Sequence, residues 1–218
     1  MLVHLTAADV SVVLDASTPT PMVLHWGTPL GAVDPQSLRV ALARPRPFGD
    51  LDQEVPLTLV PEHGLGWVGR PALLGRREDG GDWAPRFTPV GQQYTTKRLT
   101  TRAVDEHAGL VLETEVALDG AGVLVVTATL TNSGPSPYEL HHLGITLPLP
   151  DHATELMGIH GRWLREMQPH RVAFTGGHTS ESRRGRTSHD RPPLVYAGEA
   201  GFSEQQGEVW GVHLAWSG

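Results

Sequence analysis

Ser188, His189 and Asp190 stand in a row and supply the three residue types of a hydrolytic triad. Triads, however, are assembled in space from separate elements, and no Gly-x-Ser-x-Gly elbow occurs in the chain, so these neighbours are not expected to act together. Twelve histidines raise the question of a metal. His141 and His142 are adjacent on a strand-like run and should point to opposite faces, and no HxH or HExxH spacing is present. Glu166, Glu181, Asp190, Asp50 and Asp52 could serve as a glycosidase pair if two of them fell about 5–10 Å apart. Their spacing in the sequence brings no two of them together. Six tryptophans against four phenylalanines are a different signal. An indole needs a partner for its N–H, which makes it an awkward core filler, and its flat apolar face suits the C–H face of a sugar ring.

The elements that would carry these residues read as strands. Val10 to Leu14 and Met22 to Trp26 are short apolar runs separated by the Pro19/Pro21 turn. Gln93 to Val104, Gly109 to Leu118, Val123 to Asn132 and Tyr138 to Leu147 are four successive Val-, Thr- and Leu-rich runs. Asp119–Gly120 and Asn132–Ser133–Gly134 mark turns between them. Leu110, Leu112 and Thr114 fall on one face, and Val111, Glu113 and Glu115 on the other. Residues 60 to 90 hold much Gly and Pro and little periodicity, as a long functional or disordered loop would. Glu155 to Phe174 reads as strand, turn, strand, because Gly158, Gly161 and Pro169 oppose a helix. Leu194 to Ala197 and Val209 to Trp216 are further strands. The predicted class is all-β: an antiparallel supersandwich of two large sheets packed face to face.

Composition excludes several function classes. The net charge of −7 is spread along the chain, whereas nucleic-acid binding needs clustered cations. No run approaches about 18 uninterrupted apolar residues, so no membrane span is expected. The start, MLVHLTAADVSVVLD, lacks the basic and apolar regions of a signal peptide. With no cysteine, disulfides and thiolate–metal sites are impossible. A cytoplasmic protein without cofactor or metal is expected. The chain stops at Gly218 just after the strand-like His213–Leu214–Ala215–Trp216, as a piece of a longer protein would.

Three stretches near the end combine Arg, Glu, His and Trp with Gly: Gly161–Arg162–Trp163–Leu164–Arg165–Glu166, the run Glu181 to Asp190 (ESRRGRTSHD), and Gly207 to Gly218 (GEVWGVHLAWSG). With Leu24 to Gly27 (LHWG) and Pro61 to Ala72 (PEHGLGWVGRPA), their order resembles the N-terminal domain of bacterial melibiase-type α-galactosidases in glycoside hydrolase family thirty-six. The resemblance implies that residues 1–218 are the N-terminal β-supersandwich of a larger enzyme. A (β/α)₈ barrel and a C-terminal β-domain would lie outside this chain. Such enzymes hydrolyse terminal α-galactosides with retention through two barrel aspartates, so no residue here would be catalytic.

By the same resemblance, the domain would help to shape the galactose pocket, with Trp67 as the best-matching position and Asp52 and Arg70 as weaker ones. Related sequences often have an Asp-aromatic-Arg cluster where this chain has Trp67–Val68–Gly69–Arg70. The implied partners are α-galactoside oligosaccharides, the chain's own barrel and further copies in a homo-oligomer, with neither nucleic acid nor membrane. Two other readings stay open: a free-standing module that holds carbohydrate through Trp67 or Trp83, and a mutarotase-like enzyme using histidines as acid and base.

Overall fold

Leu2–Ala7 (β1) and Val10–Asp15 (β2) pair antiparallel around the two-residue turn Ala8–Asp9. Both turn residues have positive φ (42° and 57°), the backbone twist that suits a tight hairpin. Met22–Gly27 (β3) adds to β2 and completes a three-stranded sheet. A short helix follows, Pro35–Ala41 (α1), whose start is capped by Asp34 accepting the Ser37 N–H at 2.8 Å. This computed structural model describes residues 1–42, 48–49, 55–181 and 190–215.

Leu73–Arg76 (β4) comes next, then Thr88–Tyr94 (β5), Arg98–Asp105 (β6), Leu110–Leu118 (β7), Leu124–Asn132 (β8) and Glu139–Leu143 (β9). β5 to β8 form a four-stranded antiparallel meander, and β9 pairs with β4. On β7 the residues Leu110, Leu112, Thr114, Val116 and Leu118 are buried, as alternation predicts, while Glu113 and Glu115 are only half-buried. Val111 is buried too, so the outward face of β7 is not wholly polar.

Two apolar clusters lie against the inner face of the meander. One joins Val3, Leu5, Val12, Leu14 and Val23 to Leu99, Val116 and Leu118. The other joins Val60, Ala72, Leu73 and Phe87 to Ala103, Leu110 and Leu112. One layer of this sandwich is therefore β5–β8; the facing layer is divided between the three-stranded sheet and the β4–β9 pair. Thr101 and Thr114, cross-strand partners on β6 and β7, satisfy each other's buried hydroxyls at 2.5 Å.

These elements make up one compact unit, Met1–Pro148; Leu149–Gly218 forms another. The second holds Glu155–Arg162 (β10), Arg165–Ala173 (β11), Leu194–Gly198 (β12) and Val209–His213 (β13), a single antiparallel sheet in the order β11-β10-β12-β13. Its core is small: Ala153, Leu156 and Ala197, with Leu149, Val172, Val195 and Trp210 packed against them.

The structure departs from the sequence reading in a few places. The run Gln93 to Val104 is not one strand. The backbone turns at residues 95–97, where Thr95 N–H reaches the Arg98 carbonyl and Thr95 Oγ1 accepts the Lys97 amide. The strand expected over Tyr138 to Leu147 is regular only at β9. The last strand ends at His213, and Trp216 lies outside the described residues.

Candidate functional site

Pro61 to Ala72 is a loop whose ends meet: the Ala72 N–H donates to the Pro61 carbonyl at 2.9 Å. Compact surface loops closed in this way frequently carry function. Its base is rigid. Leu59 and Val60 are sealed from solvent, and Thr20 Oγ1 accepts the Val60 N–H at 3.3 Å. The Gly144 N–H donates to the Ala72 carbonyl at 2.8 Å. A 3₁₀ turn, His63–Leu65, opens the loop and ends at Gly66 in the left-handed conformation (φ 89°). An added Cβ at Gly64 would collide with the Pro85 carbonyl oxygen, so only glycine lets the loop lie against that segment.

Trp67 follows the Gly66 reversal and is half-buried. Its indole N–H donates to the Arg70 carbonyl at 3.2 Å, which folds the ring back over Gly69. Two of the three residues expected at the pocket are thus held together by one hydrogen bond. The third, Asp52, lies outside the described residues, as does Asp50. Arg70 is exposed, and its positive field, after burial, lowers the pKa of His142 on β9. Trp83 is the more open aromatic, 60% exposed, with its ring centre 5.8 Å from that of His63 in an edge-on arrangement. The loop thus presents the half-buried Trp67 indole beside the exposed Arg70.

Of the other candidates, Glu166 and Asp190 take part in local hydrogen bonds. Ser188 and His189 are outside the described residues. Glu166 Oε1 accepts the Leu164 amide at 3.0 Å in the β10–β11 turn, and the Asp190 carbonyl accepts the Gly161 N–H at 3.0 Å. His141 lies 3.7 Å from Glu139, two residues away on the same strand face, while His142 turns the opposite way, as predicted. Among the described residues, no three of His, Asp and Glu are disposed to hold a metal ion.

An open depression of about 900 Å³ is lined by Arg77, Asp79, Asp82, Asp105, His107 and Ser136, among others. Its polar groups are already engaged. Arg77 donates to Asp82 Oδ2 at 3.1 Å, to Asn132 Oδ1 at 3.2 Å and to the carbonyls of Ser136 and Ala108. Asp105 accepts the Arg86 and Ala108 amides, one on each oxygen. This is a buried-arginine tie between loops rather than an acid–base pair.

Sequence reasoning missed Glu62. Its side chain is 2% exposed; Oε2 accepts the Phe87 N–H at 3.2 Å, and Oε1 is buried with no hydrogen-bond partner among the described residues. Burial, and then the charge of Asp105, push its pKa up to about 7 against the pull of the Phe87 hydrogen bond and Arg86. The only available signal was its position one proline beyond the apolar Leu59–Val60.

Comparison with known proteins bears on this site. Residues 19–218 match the family described as the glycosyl hydrolase family 36 N-terminal domain. The chain is 43% identical over 201 residues to the α-galactosidase of Escherichia coli, covering 92% of this chain and 28% of that protein. A probable α-galactosidase G of Emericella nidulans is 28% identical over 131 residues, covering 59% of this chain and 18% of that one.

Among solved structures, the α-galactosidase of Lactobacillus brevis superposes with a TM-score of 0.83 at 20% identity, over 99% of this chain and 33% of that one. A substituted family 36 α-galactosidase of Geobacillus stearothermophilus, solved in complex with raffinose, gives 0.80 at 20% identity, over 97% of this chain and 33% of that one. At such identities the structural likeness shows the fold alone. The chain thus spans between 18% and 33% of the length of these relatives. By its match over nearly its whole length, the chain belongs to the glycosyl hydrolase family 36 N-terminal domain family.

Proposed function

We propose that this chain is the non-catalytic N-terminal domain of a retaining α-galactosidase acting on terminal α-galactosides. In this reading the Pro61–Ala72 loop forms part of the pocket wall. The observation that carries it is the 43% identity to the Escherichia coli α-galactosidase across 92% of the chain. Trp67 would stack on the sugar, with Arg70 and Asp52 donating and accepting hydrogen bonds around it. The catalytic carboxylates would belong to a barrel outside this chain, and the parent would be a cytoplasmic homo-oligomer. Among the described residues no helix is long and apolar enough to cross a membrane.

The test is a chromogenic α-galactoside assay. The longer parent should turn the substrate over, and the 218-residue chain alone should not, because losing both carboxylates removes the covalent step. In the parent, Trp67→Ala should raise KM roughly tenfold, as expected for losing about 1–2 kcal/mol of stacking. Unchanged KM with a large loss of stability would return Trp67 to a packing role. The openness of Trp83 favours a second reading, in which the chain holds carbohydrate by itself. Calorimetric titration of the isolated chain with raffinose, before and after Trp83→Ala, tests it.

A further inference from the structure

The described residues contain two deeply buried carboxylates, and they are treated differently. Asp15 is 3% exposed, but its charge meets Arg39 at 3.1 Å, the N-terminal ammonium at 3.5 Å and the Ser17 N–H at 3.0 Å. Glu62 has one backbone N–H on Oε2 and no hydrogen-bond partner for Oε1 among the described residues. An ionised carboxylate is hard to keep in that setting; a neutral acid leaves only one polar group unmet.

The location of Glu62 gives its protonation state a target. It begins the loop that carries Trp67 and Arg70, its carbonyl accepts the Leu65 N–H at 3.3 Å, and its side chain reaches the segment 85–87. That segment is bracketed by two acids, since Asp105 Oδ2 takes the neighbouring Arg86 N–H at 2.7 Å. The same segment ends the stretch that presents Trp83. The charged groups around Glu62 are Asp105, which opposes its ionisation, and Arg86, which favours it. His63, the next residue, turns its ring to Trp83.

We propose that Glu62 is a protonation latch: as the neutral acid it lets the Pro61–Ala72 loop stay packed dry against the 85–87 segment, and on ionising the buried charge drives the loop open, although the Phe87 N–H bond by itself favours the carboxylate. Charge on Glu62 makes the dry contact untenable, and the cheapest relief is to admit water to Oε1. The flanking backbone is fixed by Thr20, Ala72 and Gly144, whereas Gly66, Val68, Gly69 and Arg70 are exposed, so the loop is the part that gives way. Glu62 is accordingly a positioning residue for Trp67 and Arg70, whatever ligand those residues meet.

The experiment is a pH series from 5 to 9 on the 218-residue chain, followed by amide NMR and hydrogen exchange. The Phe87 amide proton shift should titrate with a midpoint near 7, as expected from the value for Glu62. Over the same range, protection of the loop amides, corrected for intrinsic exchange, should fall at least about tenfold. Glu62→Gln, a neutral isostere, should keep the loop protected at every pH. A Phe87 shift that is flat, or that titrates below pH 5, overturns the proposal. So does a midpoint near 7 without loss of loop protection, or an unchanged pH dependence in Glu62→Gln. Should that variant fail to fold, the wild-type shift and protection series decide the matter alone.

Discussion

Leu5, Leu14, Leu99 and Leu110 in the first unit are wholly sealed from solvent, while the most buried apolar side chains described in the second, Ala197 and Phe202, retain 4% exposure. The first unit is a two-layer sandwich whose inner sheet faces oppose each other across two apolar clusters. The second is one sheet whose apolar cluster is a handful of residues, and it leaves Trp163, Leu164 and Met167 in the open at the β10–β11 turn. Similar strand chemistry therefore has different energetic meaning in the two places: a leucine in β7 is structural, and one at Leu164 contributes almost nothing to folding.

The comparison can be broken most directly at Leu112. Leu112→Ala should cost the first unit about 2–5 kcal/mol, because the cavity is walled by both clustered layers and cannot collapse. Denaturant unfolding followed by hydrogen exchange of β6–β8 measures it, and a loss under 1 kcal/mol would show that this core is loosely packed.

Next in size is a pH effect confined to the same unit. Glu62 has its folded pKa raised from 4.5 to about 7. Its contribution is fully present below pH 4.5 and is lost as pH rises through 7, a span worth about 3 kcal/mol. The first unit should lose stability across that window, and Glu62→Gln should remove most of the loss; equal losses in both units would assign the effect to other groups.

Leu156→Ala, in the thin core of β10, should cost about 2 kcal/mol, less than Leu112→Ala, since its neighbours can relax into solvent-accessible space. Smallest of all, Trp163→Ser should change the unfolding free energy of the second unit by no more than about 0.5 kcal/mol. A larger change would mean that the turn is structural.

How much of this was legible depended on whether a residue's role is local. The inner face of β7 could be read because alternation is a property of neighbours, and so could the β10–β11 hairpin, since Gly158, Gly161 and Pro169 argue against a helix. β1 went unread although Val3 and Leu5 alternate with His4 and Thr6 as in a half-buried strand. α1 was missed although Asp34 before Pro35 is a helix-start signal, because seven residues give no periodicity to detect. The break between β5 and β6 was hidden because Thr95 and Thr96 are good strand formers even in a turn. At the site, Trp67 and Arg70 could be singled out by type and resemblance. Glu62 could not, because its hydrogen-bond donor Phe87 and the charge of Asp105 that acts on it are both distant in the sequence.

The sheet margins carry a further consequence. β5 and β11 are outer strands, and each has a proline within it, Pro89 and Pro169; the β5–β6 register also shifts between Pro89 and Gly91. Proline offers no N–H to an incoming chain, so these margins resist foreign strands. β8, the opposite margin of the meander, reads LVVTATLTN, with neither proline nor charge, and exposes Val125, Thr127 and Thr129 in alternation. Within the meander, β8 is therefore expected to accept a strand from a second copy more readily than β5. A single lysine at Thr127 should lengthen the lag of heat-induced fibril formation, whereas a lysine at Gln92 on β5 should leave it unchanged.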